Sequence, residues 1–265
     1  MKYGMPTLVE CADIYECIEV AKKYDLDFIE INTSFPQYQA TAMNTEELCT
    51  LARENGLFYT IHADEQLNPF DFKAEVSECY FGEMREHIRF ALAIGAPVIN
   101  MHLLKGVYVT LPGRVILLTD VYKDEYMAKV RAFIRLCEEE IGDAPLRICI
   151  ENVDSNPFTS SQREALELFL ASRVFGMTYD TGHDKCLGGK DRDIYDTYRN
   201  KLSHMHLHDS NGRSAHLPLG SADIDVPLML DMIEGRGACL VEVKTIAGLA
   251  ESVEYLKSIG RFERK

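Results

Sequence analysis

The chain has 265 residues, with 46% hydrophobic and 26% charged side chains and a formal net charge of −14, a balance that fits a globular protein with a sizeable core. The acidic excess argues against binding nucleic acid through bulk electrostatics, and no apolar run approaches the roughly 20 residues that cross a bilayer. Eight cysteines lie scattered without a C-x-x-C pair and read as small buried residues, not as a disulfide framework or a zinc knuckle. The opening MKYGMPTLVECAD lacks the long uncharged run of a secretion signal, so a cytoplasmic location is expected.

Short β-rich runs alternate with longer amphipathic or charged ones. Strands are expected at 2–5, 27–32, 57–62, 97–102, 146–151, 174–180, 202–208 and 238–243. Helices are expected at 9–24, 45–55, 73–95, 123–141, 162–172, 191–200, 225–235 and 247–259. Asn44-Thr45-Glu46-Glu47 and Ser160-Ser161-Gln162-Arg163-Glu164 carry helix-start signals, and Gly56 and Gly95 fall where glycines end helices. Eight β/α repeats in about 250 residues, with no linker between them, predict an α/β fold: a (β/α)8 TIM barrel forming a single domain over 1–265. A doubly wound open sheet is the competing arrangement. One interruption follows the fourth strand. In KGVYVTLPGRVILLTD (105–120), two β-type runs flank Pro112-Gly113, a type II turn signal. This predicts a short β-hairpin insertion over the barrel mouth, as a lid, a dimer contact or plain packing.

In such a barrel the C-terminal strand ends converge on the active site. Those ends carry His62, His102, Glu151, Asp180, His206 and Glu242, and His183 follows Asp180 by three residues. Six consecutive strands therefore each end in a metal-capable side chain, where a lone histidine would read as a hydrogen-bonded polar residue. In SHMHLH (203–208), His204, His206 and His208 share one face of a strand. A carboxylate closing a run as apolar as Ile148-Cys149-Ile150 is costly to bury unless a positive charge meets it. A divalent cation would do so, and the mixed oxygen and nitrogen donors suit Mn²⁺, Zn²⁺, Co²⁺ or Mg²⁺ without choosing among them.

These pieces resemble the xylose-isomerase-like TIM-barrel superfamily, which holds sugar isomerases and epimerases, inosose dehydratases and apurinic endonucleases. The matching stretches are FIEI (28–31), the strand-end His62 and His102, IEN (150–152), DTGH (180–183), HLHDSNG (206–212), HLPLG (216–220) and VEV (241–243). In the sugar branch the resemblance implies one metal held by Glu151, Asp180, His206 and Glu242. Glu151 and Glu242 would move the proton of a ketose-like substrate through an enediolate, with epimerisation, isomerisation and dehydration all left open. In the apurinic-endonuclease branch it implies three zinc ions on nine positions. Eight are matched, by His62, His102, Glu151, Asp180, His183, His206, His216 and Glu242, but Ser214 stands where the ninth is an aspartate. His62-Ala63-Asp64-Glu65 also puts two acids where a DNA backbone would approach.

The sugar branch is therefore preferred. A zinc phosphodiesterase and a non-catalytic carbohydrate-binding barrel are the alternatives. His62, His102, His183 and His216 become candidates for a second metal or for substrate hydroxyls, and Arg213, Lys244 and Tyr108 for substrate contact. Glu30 and Asn32 point into the barrel as interior hydrogen-bonding residues, with His204 one layer below His206 and His208 one step above it. The expected partner is a small carbohydrate, with no nucleic acid or membrane, and a homo-oligomer is compatible with these features.

Overall fold

The structure, a computed structural model, describes residues 1–262. Among the described residues ten strands run in chain order: β1 (Lys2–Pro6), β2 (Phe28–Asn32), β3 (Phe58–His62), β4 (Val98–His102), β5 (Tyr108–Leu111), β6 (Arg114–Leu117), β7 (Arg147–Glu151), β8 (Phe175–Asp180), β9 (Leu202–Leu207) and β10 (Ala238–Val241). Eight of them close a parallel barrel in the order β1-β10-β9-β8-β7-β4-β3-β2, with helices between successive barrel strands. This is the (β/α)8 barrel expected of eight repeats. β5 and β6 form a separate antiparallel hairpin after the fourth barrel strand, and Gly113, at φ +80°, takes the left-handed position of its turn. No helix among the described residues is long and apolar enough to cross a membrane.

Alternation along each strand sorts side chains into two different interiors. Ile29, Ile31, Ile61, Ile99, Ile148, Ile150, Met205 and Leu207 are fully buried and belong to the apolar cluster that includes the helices' inner faces. The intervening residues fill the barrel itself in layers. Near the base, Phe28 and Phe58 stack with ring centroids 4.9 Å apart. Above them lies a buried polar layer that includes Glu30, Thr60 and His204, and the metal-capable strand ends lie above that. The aliphatic residues thus drive the helices onto the sheet, and the barrel lumen is left free to carry polar chemistry.

Local signals set several boundaries. Asn44 caps the helix Thr45–Asn55 by accepting from the Glu46 and Glu47 amides, and Gly56 ends it in the left-handed conformation. The helix expected from residue 9 begins at Ile14, because Asp13 accepts from the Glu16 amide and fixes the start there. The helix Ser160–Ala171 is capped one residue earlier than Ser160, by a reciprocal Thr159–Gln162 capping box. The last barrel strand stops at Val241, where the Val243 amide turns back to donate to the Val241 carbonyl (3.1 Å). The Asp-Thr-Gly-His turn is a short helix, Thr181–Cys186, capped by Asp180.

Candidate metal centre

Glu151, Asp180, His206 and Glu242 come from β7, β8, β9 and the residue after β10, four neighbouring positions around the C-terminal rim. Each offers one ligand atom, and these four atoms lie within 4.8 Å of one another. His206 Nδ1 is 3.0 Å from Glu151 Oε1, 3.0 Å from Glu242 Oε2 and 4.0 Å from Asp180 Oδ2. All four residues are buried. Among the described residues Glu151 Oε1, Glu242 Oε2 and His206 Nδ1 have no hydrogen-bond partner, although each is shielded from solvent. Three buried carboxylates converging on one imidazole nitrogen are repulsive and undersatisfied as they stand, and a divalent cation among them removes both defects. The donor set fits such an ion.

The electrostatics follow from this crowding. Burial by itself raises a carboxyl pKa, but the His206 and His102 imidazoles hold Glu151 well below the usual carboxylate range. Glu242 is likewise raised by burial and then driven below its ordinary value by Lys244 and His206. Burial lowers His206, but Glu151, Glu30 and Glu242 more than offset this and raise it well above an ordinary histidine. His62 is lowered by burial yet brought to about 9 by Glu151.

A layer of supporting contacts fixes the ligands. On the far side of the His206 ring, Nε2 lies 2.9 Å from Glu30 Oε1. The other Glu30 oxygen accepts from Thr60 Oγ1 (2.8 Å) and pairs with His204 Nε2 (2.8 Å). Neither His206 Nε2 nor Glu30 Oε1 has a hydrogen-bond partner among the described residues, so their approach is an ion-pair contact, and a carboxylate behind a histidine would orient the ring toward a bound ion. Asn100 donates to Glu151 Oε2, the oxygen that also lies 3.2 Å from His102 Nε2 and 3.5 Å from His62 Nε2. Behind Asp180 the roles reverse. The His216 amide, presented by a left-handed residue at φ +56°, donates to His208 Nδ1 (2.7 Å). That leaves the proton on His208 Nε2, which lies 3.0 Å from the Asp180 carboxylate. Gly182 permits this arrangement, since a Cβ there would stand 2.0 Å from the His208 ring.

The remaining sequence candidates fall into two groups. His62 and His102 group with Glu151, and His183 and His216 group with His208, each set within 4.8 Å. His183 Nδ1 lies 3.3 Å from Asp180 Oδ2 and 3.8 Å from Glu151 Oε1. His216 is lowered to about 4 by burial. Lys244 reaches Glu242 Oε1 at 2.7 Å. Arg213 and Ser214 are exposed, with their amides folded onto Asn211 Oδ1. Tyr108 is half exposed on the hairpin beneath Lys105 Nζ (4.7 Å), and it does not line the cleft over the centre. That cleft, of about 210 Å³, is bordered by Glu30, His62, Glu242 and Lys244, with Leu8 and Phe35 as its apolar wall. Phe35, three residues past the end of β2, was not singled out by sequence reasoning; its signal is an aromatic in the loop that follows a strand whose end faces the mouth.

A family model described as xylose isomerase-like TIM barrel matches residues 18–259, and the chain belongs to that family. Among solved structures it is similar to a D-tagatose 3-epimerase-like protein, at 23% identity over 97% of this chain and 96% of that one, with a TM-score of 0.79. It is also similar to a D-psicose 3-epimerase solved in the presence of D-fructose (17% identity, 99% of each chain, TM-score 0.73). A third similar structure is that of an IOLI protein with a bound zinc atom (15%, 100% of each chain, TM-score 0.73). Among curated proteins none matches the sequence.

Proposed function

We propose that the protein is a divalent-metal-dependent isomerase or epimerase acting on a small sugar, sugar phosphate or related polyol ketone by proton transfer. The observation that carries this reading is the convergence of Glu151, Asp180, His206 and Glu242, with orphaned donor atoms aimed at one point. Membership of the xylose isomerase-like family supports it, as do the ketose 3-epimerases among the similar folds. These four residues would hold the ion, which supplies Lewis acidity to adjacent carbonyl and hydroxyl oxygens and so acidifies the neighbouring C–H.

The rest is work for the protein's own groups. Glu242 borders the cleft, and its Oε1 is held by Lys244. Glu151 stands across the centre on β7, with Oε2 held by Asn100. One carboxylate removes the proton and the other delivers one to the opposite side of the carbon, which inverts it; delivery to the next carbon would interconvert ketose and aldose. Lys244 and His62 border the cleft and would meet substrate hydroxyls, and Phe35 and Leu8 would offer an apolar wall to the sugar's C–H face. The burial of Glu151 and Asp180 keeps bulk water from competing for the transferred proton.

The test is to load the protein with Mn²⁺ or Co²⁺ and incubate it with D-fructose, D-tagatose and their phosphates in D₂O. The expected result is deuterium at one carbon of the reactive ketose, followed by NMR, together with one tightly bound ion per chain. Absence of exchange from every ketose by a metal-loaded protein would refute the reading. The grouping of His62 and His102 with Glu151, and of His183 and His216 with His208, favours a second reading, a three-zinc phosphodiesterase. Against it, both His208 nitrogens are already engaged and Ser214 lies exposed. Two or three zinc ions per chain and cleavage of abasic DNA would put it first.

A further inference from the structure

At the opposite end of the barrel, the N-terminal strand ends surround a cavity of about 600 Å³, within the size range of small-molecule sites. Three arginines line it: Arg147 at the start of β7, Arg173 just before β8, and Arg236 just before β10. Among the described residues no aspartate or glutamate lines it, in a chain whose net charge is −14. Among the described residues neither Arg147 nor Arg236 has a carboxylate partner. Arg147 Nη1 donates to Ser203 Oγ (2.9 Å), and Arg236 Nη1 donates to the Met232 and Glu234 carbonyls. Arg173 donates to the Gly142 carbonyl and to Asp143 (3.1 Å), an aspartate whose side chain is fully exposed and whose charge solvent therefore screens.

The position of Arg147 is built, not incidental. The β8–β9 ladder steps from Met177–Leu202 to Thr178–His204, so Ser203 is the extra residue of a bulge, a device that re-aims a side chain. Two glycines make room for that bulge. A Cβ at Gly237 would lie 2.0 Å from the Ser203 carbonyl, and one at Gly176 would lie 3.0 Å from Ser203 Oγ. The hydroxyl is thereby free to hold one arm of the Arg147 guanidinium, leaving its other N–H donors for a ligand. At its inner end the cavity reaches Phe58 and Thr60, and Thr60 Oγ1 donates to Glu30 Oε2 (2.8 Å) in the polar layer above.

We propose that the N-terminal mouth is a second binding site, separate from the metal centre, for a small molecule bearing a phosphate group. Unneutralised guanidinium groups match phosphate oxygens in geometry and charge. The cavity is larger than the phosphate group needs and has an aromatic edge at Phe58, so a phosphate ester with a compact body fits better than the free anion. The site does not depend on the metal-centre chemistry.

Calorimetric titration of the whole protein at low ionic strength, with inorganic phosphate and separately with glucose 6-phosphate, tests this. The wild type should bind one equivalent, more weakly as salt rises. R147Q/R236Q should weaken binding by about tenfold or more, with an unchanged thermal midpoint in phosphate-free buffer. R147K/R236K, which keeps both charges but not the fork, should fall between. Tighter binding of glucose 6-phosphate than of inorganic phosphate would support the ester as occupant. Equal affinity of the wild type and R147Q/R236Q, or no binding of either probe by the wild type, would overturn the proposal.

Discussion

At the C-terminal mouth three buried carboxylates crowd one imidazole nitrogen; at the N-terminal mouth three arginines line a cavity that has no acid in its wall among the described residues. One five-residue strand reaches both. β7 begins with Arg147, passes through Cys149 and ends with Glu151, and alternation points all three into the lumen. Four residue steps separate the two charges, about 13 Å at the usual rise of a strand. Both mouths concentrate like charges, yet they manage them differently. The upper one buries its charge and surrounds it with a supporting shell, an arrangement that a cation at close quarters would relieve. The lower one leaves its charge open to water, where it costs little and can be answered from solution. A barrel with a polar lumen can hold both because each is fixed to its own strand ends.

The largest effect expected at the upper mouth is on catalysis. Glu151→Gln and Glu242→Gln should each lower turnover of the reactive ketose by about 10²–10⁴-fold. Far-UV circular dichroism should remain that of a folded barrel, since each amide is close in shape to the acid it replaces. The same variants should bind phosphate at the lower mouth as the wild type does, because separated sites behave additively. A parallel loss of phosphate binding would mean that the two mouths are one system.

Glu30→Gln comes next. It removes the carboxylate behind His206 while keeping the residue's bulk, and should weaken Co²⁺ binding by about 10–100-fold, read from the visible absorption of the bound ion in titrations of the apoprotein. Unchanged Co²⁺ affinity would show that the upper mouth needs only its four ligands. Gly182→Ala should cost about 1–3 kcal/mol of stability in denaturant unfolding, because the new methyl group drives into the His208 ring that supports Asp180.

The four converging donors were legible because alternation and strand-end position are periodic properties of local sequence, and Glu151, Asp180, His206 and Glu242 sit in or next to runs that read as strands. The shell behind them was not. Glu30 reads as an inward residue of β2, but its contacts with His204 and His206 form only when the sheet closes, across 174 residues of chain for the bond to His204. The short helix Thr181–Cys186 spans too few turns to display a period, so it is absent from the helices the sequence leads one to expect. The lower mouth left even less trace. Arg147, Arg173 and Arg236 are single basic residues near three strand starts that share a cavity only once the sheet closes, and the bulge that holds Arg147 through Ser203 is one an alternating pattern does not announce.

The smallest effect concerns the support beneath the upper mouth. His87, on the helix Ala74–Ile94, is buried, and its Nε2 meets Thr33 Oγ1 at 3.0 Å. That hydroxyl in turn donates to the His62 carbonyl (3.0 Å), so Nε2 carries the proton of a neutral ring. Burial lowers its pKa to about 4, below the ordinary histidine value that the unfolded chain retains. The unfolded state therefore takes up a proton first as pH falls. The stability that the neutral ring contributes is whole above about pH 6.5 and is lost progressively toward pH 4. His87→Gln keeps a donor for Thr33 and cannot titrate. Between pH 7 and pH 5.5 the wild type should lose about 1 kcal/mol more stability than this variant in urea unfolding, while carboxylates common to both cancel in the difference. Identical pH slopes would place His87 outside the support of the C-terminal mouth.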